Sequence, residues 1–421
     1  MRPELVDGSF KGLPPLLPLT PVGAIGRLGW SLLDDSLPGA VAVLRVDALA
    51  HNRAWMRAFL AHTGALLAPH AKTTMSPALF ALQVQDGAWG LTVATVHQAK
   101  VAWDAGFHRL LLANELVTGP ELEWVAAALR SDPAGEIVPL VDSLDGVARL
   151  AAAMATVGRP VPALVEVGYL GGRAGCRTHA DALAVARAVA AAPSLTLRGI
   201  EAYEGLVAEP TAEAREARVA AFLDLVCAVA EGCAAEALFP PGVSPLLTAG
   251  GTSFPDLVAR RFALLNPAFT PLLRSGCYLT GDHGIYAAAL DRLHARDPAL
   301  AALGGLVPAL EVWATVLSRP EPGRVILAAG KRDIGIDAGL PVPLRWARPH
   351  EGLPAAIAGA TVGALNDQHT HLVVPVDSPL RVGDRVAFGI THPCTTFDRW
   401  SVLLGVDAGW RVVSAFRTYF G

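Results

Sequence analysis

Four short stretches carry residue types that do chemistry. "PHAKTT" at 69–74 sets Lys72 beside His70 and Thr73, just after the apolar run "ALLA". A lysine in a partly desolvated pocket loses its charge readily and condenses with an aldehyde. The plain alternative is a solvated surface lysine, where most lysines lie. In "AGGTSFP" at 249–255, Gly250 and Gly251 let the backbone approach a phosphate, and Thr252 and Ser253 add hydroxyl donors. An ordinary turn has the same composition. "EVGYLGGRAGC" at 166–176 flanks Arg173 with glycines, and "GIEAYEGL" at 199–206 carries Tyr203, an aromatic suited to a flat ring. A loop arginine in water and a core tyrosine are the bland readings. Together, a lysine, a phosphate cradle, a cation and an aromatic suit pyridoxal 5'-phosphate (PLP), which needs an imine partner, a phosphate site and ring contacts.

A further stretch, "GITHPCTTFDRW" at 389–400, holds His392 and Cys394 two apart. On an extended strand such side chains share a face. Imidazole and thiolate both ligate zinc. Two protein ligands leave positions for water and substrate, which suits a catalytic rather than a structural metal. A buried cysteine beside a chance histidine is the alternative. Upstream, "NDQHTHL" adds His369 and His371 as a third ligand, an acid/base or surface groups.

These stretches must be positioned by regular elements. Apolar runs recur at 41–46, 65–68, 89–94, 109–113, 136–141, 162–167, 195–203 and 245–250, with helical stretches between them, such as 48–62, 143–157, 179–191 and 212–233. Strands alternating with helices predict parallel βαβ units, and strands apolar on both faces predict a sheet covered by helices. Eight units match a (β/α)8 barrel, typically about 250 residues. A doubly wound open sheet is the competing reading. In a barrel the loops after the strands build the site, and the runs ending near 68, 167, 203 and 250 carry the stretches above. Past residue 305 the pattern turns to short strands separated by turns. The expected organisation is an irregular segment at 1–36 packing on the β domain, a barrel at 37–304 and a mainly β domain at 305–421.

Composition narrows the function. Apolar residues make up 52% of the 421 and charged residues 17%, enough for a large core. A net charge of −4 without a basic run gives no support to nucleic-acid binding. No stretch offers about 18 uninterrupted apolar residues, so no membrane span is expected. Five cysteines without a C-x-x-C pair, and an opening "MRPELVDGSF" lacking an apolar leader core, fit a reducing cytoplasm.

"PHAKT", "EVGYLGGRAG", "GIEAYEG", "AGGTSFP", "LLRSGCY" and H-P-C occur in that order. This ordered set resembles the D-serine dehydratase and D-threonine aldolase family of fold-type III PLP enzymes. "LSRPEPGRVILAAGKRDIGIDAGLP" at 317–341 is similar to its bacterial amino acid deaminase branch. The resemblance runs from about residue 37 to about 400. It implies an alanine-racemase-like PLP barrel and a β domain, with Lys72 as the Schiff-base lysine. It gives the phosphate to Gly250, Gly251 and Thr252, and cofactor contacts to Tyr203, Arg173 and His70. His392 and Cys394 match the family's metal pair, with zinc or another divalent ion. The dehydratases resemble H-x-C here and the aldolases H-x-D, so Cys394 favours dehydration. Where the family often has Glu-His-Gly, this chain has Gln368-His369-Thr370. That departure weakens a role for His369 in acid/base or substrate work, a role also open to Thr73. The implied activity is a PLP- and zinc-dependent ammonia-lyase acting on a small-molecule D-3-hydroxy amino acid, in a homodimer. Retro-aldol cleavage and a non-catalytic PLP carrier are the rival functions.

Overall fold

The computed structural model describes residues 4–251, 253–265 and 267–420. The chain forms two compact units. One comprises 57–72 and 82–276; the other comprises 1–56, 73–81 and 277–421.

The first unit is a parallel eight-stranded barrel. Its strands are Leu66–Leu67, Leu91–Val93, Arg109–Glu115, Glu136–Val141, Val161–Val167, Leu195–Ala202, Leu246–Thr248 and Thr270–Leu273. Thr270–Leu273 pairs with both Leu246–Thr248 and Leu66–Leu67. The ring closes where His70 bridges Thr92, with Trp89 N donating to Leu67 O at 2.7 Å and Thr92 N to Pro69 O at 3.0 Å. Ala68, Leu111, Val138, Leu140, Leu164, Leu246 and Leu272 form a buried interior cluster. Burying each large side chain contributes about 1.5–3 kcal/mol. The helices start where the sequence offers a hydroxyl. Thr95, Ser143, Thr178 and Thr211 each accept from the backbone N–H three residues on. Such a cap satisfies one of the helix's orphan donors. Gly199 lets two strands touch, since a Cβ there would coincide with the Leu246 carbonyl.

The second unit is built on a ten-stranded sheet. Its long strand Leu310–Glu321 pairs antiparallel with Arg385–Gly389, with Arg324–Leu327 and with Ala40–Arg45. Ala40–Arg45 also pairs in parallel with Val402–Val406, which pairs with Val412–Arg417. The run 41–46, expected as the first barrel strand, is therefore a central strand of this sheet. It is flanked on both edges and buried on both faces, which gives it the same apolar signature as a barrel strand. The barrel's eighth strand is Thr270–Leu273 instead. A division at 304/305 differs from these units at both ends, because the second unit takes 1–56 and everything from 277. The opening segment contains the paired strands Leu5–Val6 and Thr20–Pro21. It buries Val6, Leu13, Val22, Ile25 and Leu32 with Trp313, Val402 and Trp410.

Candidate functional site

The C-terminal ends of the barrel strands gather most of the residues singled out from the sequence. Lys72 lies in the 3-10 turn Ala71–Thr73, directly after the first strand and its closing bridge. Its side chain is exposed, not desolvated as a buried-pocket lysine would be. His70 has a buried Nδ1 without a hydrogen-bond partner, and burial with the charges of Lys72, Arg274 and Arg173 holds its pKa well below the ordinary histidine value. Arg173 sits 5.6 Å from the Tyr203 ring centroid and 3.5 Å from Glu166 Oε1. Gly205 leaves room for Tyr203, since a Cβ there would lie 2.5 Å from its Oη. Gly250 has φ +90°, a conformation that favours glycine. Its N–H donates to Glu204 Oε2 at 2.9 Å. Gly251 O accepts from Ser275 Oγ at 2.7 Å. Thr252 lies outside the described residues.

Beneath these residues lies a buried charged layer that the sequence reading missed. Glu166, Glu201, Glu204 and Arg274 are all buried. Arg274 forms an ion pair with Glu201 and donates to Ala202 O at 2.9 Å. Burial, then the nearby charge of Glu201 and a hydrogen bond with Glu115, raises the Glu166 pKa to about 9. Burial also raises Glu204 and Glu201, the latter against the pull of Arg274. The signal available was carboxylates inside or just after apolar strands, in "VEVG" and "GIEAYEG".

The barrel mouth fits the implied cofactor. The N–H of Gly250 already donates to a carboxyl oxygen, so the loop turns a backbone donor toward the place a phosphate oxygen would take. His70 Nδ1, Glu166 Oε2, Glu204 Oε1 and Thr248 Oγ1 are buried polar atoms without protein partners, and such atoms call for a ligand or water.

The second unit brings Cys277, His392 and Cys394 together, their ligand atoms all within 4.8 Å of one another. His392 and Cys394 do not lie on a strand. Pro393 is helical, with φ −73° and ψ −32°, and opens the short helix Cys394–Phe397, so a turn makes the two side chains converge. The Cys277 and Cys394 sulfurs are 3.5 Å apart. Thr73 Oγ1 lies 3.5 Å from Cys277 Sγ and 3.6 Å from Cys394 Sγ. His392 Nδ1 bonds Asp337 Oδ2 at 2.5 Å, leaving Nε2 for the group. The Cys277 hydrogen bond, with His392 adding, brings the Cys394 thiol down to about 4. Contact with Cys394 chiefly raises His392 to about 9 and pushes Cys277 well above the thiol range. One thiolate, one imidazole held by a carboxylate and a second sulfur form a soft donor set that fits a zinc-class ion. His369 and His371 are not in it. His369 is exposed in a turn, and His371 Nε2 bonds Asn366 Oδ1 at 2.6 Å. Cys277 and Asp337 were legible only as members of "LLRSGCY" and "KRDIGIDAGLP".

Residues 44–255 match the family described as "Alanine racemase, N-terminal domain", and residues 309–406 match the "Putative serine dehydratase domain". The D-threonine aldolase of an Arthrobacter species is 28% identical over 78% of each chain. The 3-hydroxy-D-aspartate aldolase of Paracoccus denitrificans is 27% identical over 71% of this chain and 73% of that one. The crystal structure of D-threonine aldolase from Filomicrobium marinum superposes with a TM-score of 0.78 at 25% identity, covering 94% and 98% of the two chains. The D-threo-3-hydroxyaspartate dehydratase of Delftia sp. HT23 superposes at 0.73 and 22% identity, covering 93% and 99%. One structure of a variant of that dehydratase is of a metal-free form. Fold and matched domains define the class, an alanine-racemase-type barrel enzyme that works with PLP. The chain belongs to the D-serine dehydratase and D-threonine aldolase family of fold-type III enzymes, whose members are PLP-dependent lyases. Among the described residues no helix is long and apolar enough to cross a membrane.

Proposed function

We propose that this enzyme is a PLP- and zinc-dependent ammonia-lyase for a D-3-hydroxy amino acid such as D-serine, D-threonine or a 3-hydroxyaspartate isomer. The observation that carries this reading is the sulfur-containing Cys277–His392–Cys394 group. Two of its members lie in the segment that matches the serine dehydratase domain. Bound PLP would supply an electron sink for the carbanion left when the α-proton departs. A zinc-class ion would act as a Lewis acid on the β-hydroxyl.

The chain's own residues have these roles in the proposal. Lys72 would hold the cofactor through Nζ, and the same Nζ is the base that would accept the substrate's α-proton. Gly250 and Gly251 offer backbone N–H groups to the phosphate, a place Glu204 yields more easily because burial favours its neutral form. Tyr203 and Arg173 would contact the cofactor's ring, and neutral His70 stands beside Lys72 without adding charge. Loss of the α-proton and the β-hydroxyl releases one water. The enamine product then takes up one water, giving a 2-oxo acid and ammonia. The substrate is a small molecule, the working form a homodimer and the compartment the cytoplasm; no nucleic acid or membrane takes part.

The similarity to enzymes named as aldolases favours a second reading, retro-aldol cleavage of the same substrates. Product analysis separates the two. Protein loaded with PLP and zinc should release ammonia and a 2-oxo acid from at least one D-3-hydroxy amino acid. Glycine and an aldehyde would move the assignment to the aldolases. Neither product set from any of these substrates would sink both.

A further inference from the structure

We propose that Cys277 is a third protein ligand, making the metal centre a site of one histidine and two cysteines that selects zinc-class ions and keeps one exchangeable position. The inference rests on the metal reading above and narrows it.

Tetrahedral zinc holds sulfur at about 2.3 Å and imidazole nitrogen at about 2.0–2.1 Å. Those lengths place two sulfur ligands about 3.8 Å apart, and sulfur and nitrogen about 3.6 Å apart. The Cys277 and Cys394 sulfurs stand 3.5 Å apart, and all three ligand atoms lie within 4.8 Å of one another. The sulfur pair lies within a few tenths of an ångström of the spacing one ion requires, and the histidine nitrogen is near enough to join it after a small side-chain adjustment. Cys277 is buried and held by the 3-10 turn Cys277–Leu279. Thr73 sets one hydroxyl near both sulfurs, where it can donate to a thiolate in either place. Asp337 fixes the His392 ring through Nδ1, the outer carboxylate contact that metal-bound histidines favour. The other cysteines differ. Cys227 and Cys233 lie among the buried residues of helix Ala212–Ala235, and Cys176 Sγ donates to Asp142 O at 3.2 Å.

Two consequences separate this site from one with two protein ligands. Two thiolates and an imidazole disfavour magnesium, calcium and manganese, which prefer oxygen ligands. Three protein ligands leave a four-coordinate ion one open position, enough for a single substrate oxygen. A substrate hydroxyl would then have that position alone, and protein groups would hold the substrate carboxylate.

The test is zinc K-edge X-ray absorption on the purified zinc-loaded protein, with Cys277→Ser beside it. Two sulfur neighbours at about 2.3 Å in the wild type, one in the variant and a zinc affinity lower by at least about 100-fold are expected, because losing a direct ligand outweighs losing an outer partner. A single sulfur in the wild type overturns the three-ligand site and leaves the zinc-dependent lyase standing. Protein that retains no zinc against magnesium in equimolar competition overturns both. Cobalt substitution checks folding of the variant independently. One remaining thiolate-to-cobalt charge-transfer contribution where the wild type has two supports the assignment, and two equal spectra refute it.

Discussion

Glu166→Gln should stabilise the cofactor-free protein at pH 7 and destabilise it by about 1 kcal/mol near pH 4.5, where only the cost of the extra N–H remains. Burial and the neighbouring glutamates raise the Glu166 pKa from 4.5 to about 9. Between those values the folded chain holds a proton that the unfolded chain releases. The contribution of Glu166 to stability is thus fully present below pH 4.5 and is lost steadily as the pH rises toward 9. At pH 7 the loss spans two and a half pH units at about 1.4 kcal/mol each, or about 3 kcal/mol. Glutamine has nearly the same shape and binds no proton, so it avoids this loss. Its extra N–H offsets about 1 kcal/mol if left without an acceptor, so the net gain at pH 7 is about 2 kcal/mol. Urea unfolding of both proteins from pH 4.5 to pH 8 should show the difference growing by about 1.4 kcal/mol per unit. The infrared carbonyl band of protonated carboxylic acids should be present at pH 7 in the wild type and weaker by one group in the variant, with the other buried acids contributing the rest. A stability difference independent of pH, or equal band intensity in the two proteins, would refute the buried neutral acid.

Three further outcomes follow from geometry. Gly250→Ala forces a side chain onto φ +90°, while its Cβ meets Leu273 and Val258 only at ordinary contact distances of 3.4 Å. The backbone cost of about 1–2 kcal/mol should appear as a lowered unfolding midpoint of the cofactor-free protein, and a wild-type midpoint would contradict the left-handed conformation. Gly199→Ala drives a methyl group into the Leu246 carbonyl. A circular-dichroism melt should show a strongly lowered midpoint, and a wild-type melt would contradict the close strand approach. Asp337→Asn leaves the His392 ring without its carboxylate. Zinc affinity measured against a competing chelator should fall by about 10–100-fold, and ammonia release should be lost to chelator and restored by added zinc.

The fold class was readable because helical and strand periods alternate along most of the barrel. The errors came from strands whose local signal is ambiguous. Val41, Ala42, Val43 and Leu44 are all buried, and a strand sandwiched in a mixed sheet looks the same as one in a barrel. The true last barrel strand is the four residues Thr270–Leu273 with a proline inside, too short to stand out. The two errors cancelled in the count, but they hid Cys277, which follows that strand rather than a random loop. Lys72, Tyr203, Arg173 and the two glycines could be proposed because each follows an apolar run. The buried glutamates could not, since nothing local says whether a carboxylate at a strand end faces water or Arg274. His392 and Cys394 share a face in the expected pleat, whereas the chain brings them together through a turn at Pro393.

Ala40–Arg45 fills both of its edges with partners from the far end of the chain, Leu310–Glu321 on one side and Val402–Val406 on the other. Synthesis runs at about 5–20 residues per second, and domains generally fold as they emerge. This strand leaves the ribosome roughly 20–70 s before its parallel partner exists, at those rates. Throughout that interval "AVAVLR" presents two unpaired apolar edges, the form of strand most prone to pairing with another chain. A chaperone that covers exposed strand edges should therefore raise the folded yield of this chain. Yield in a foreign host should follow chaperone supply more closely than codon choice.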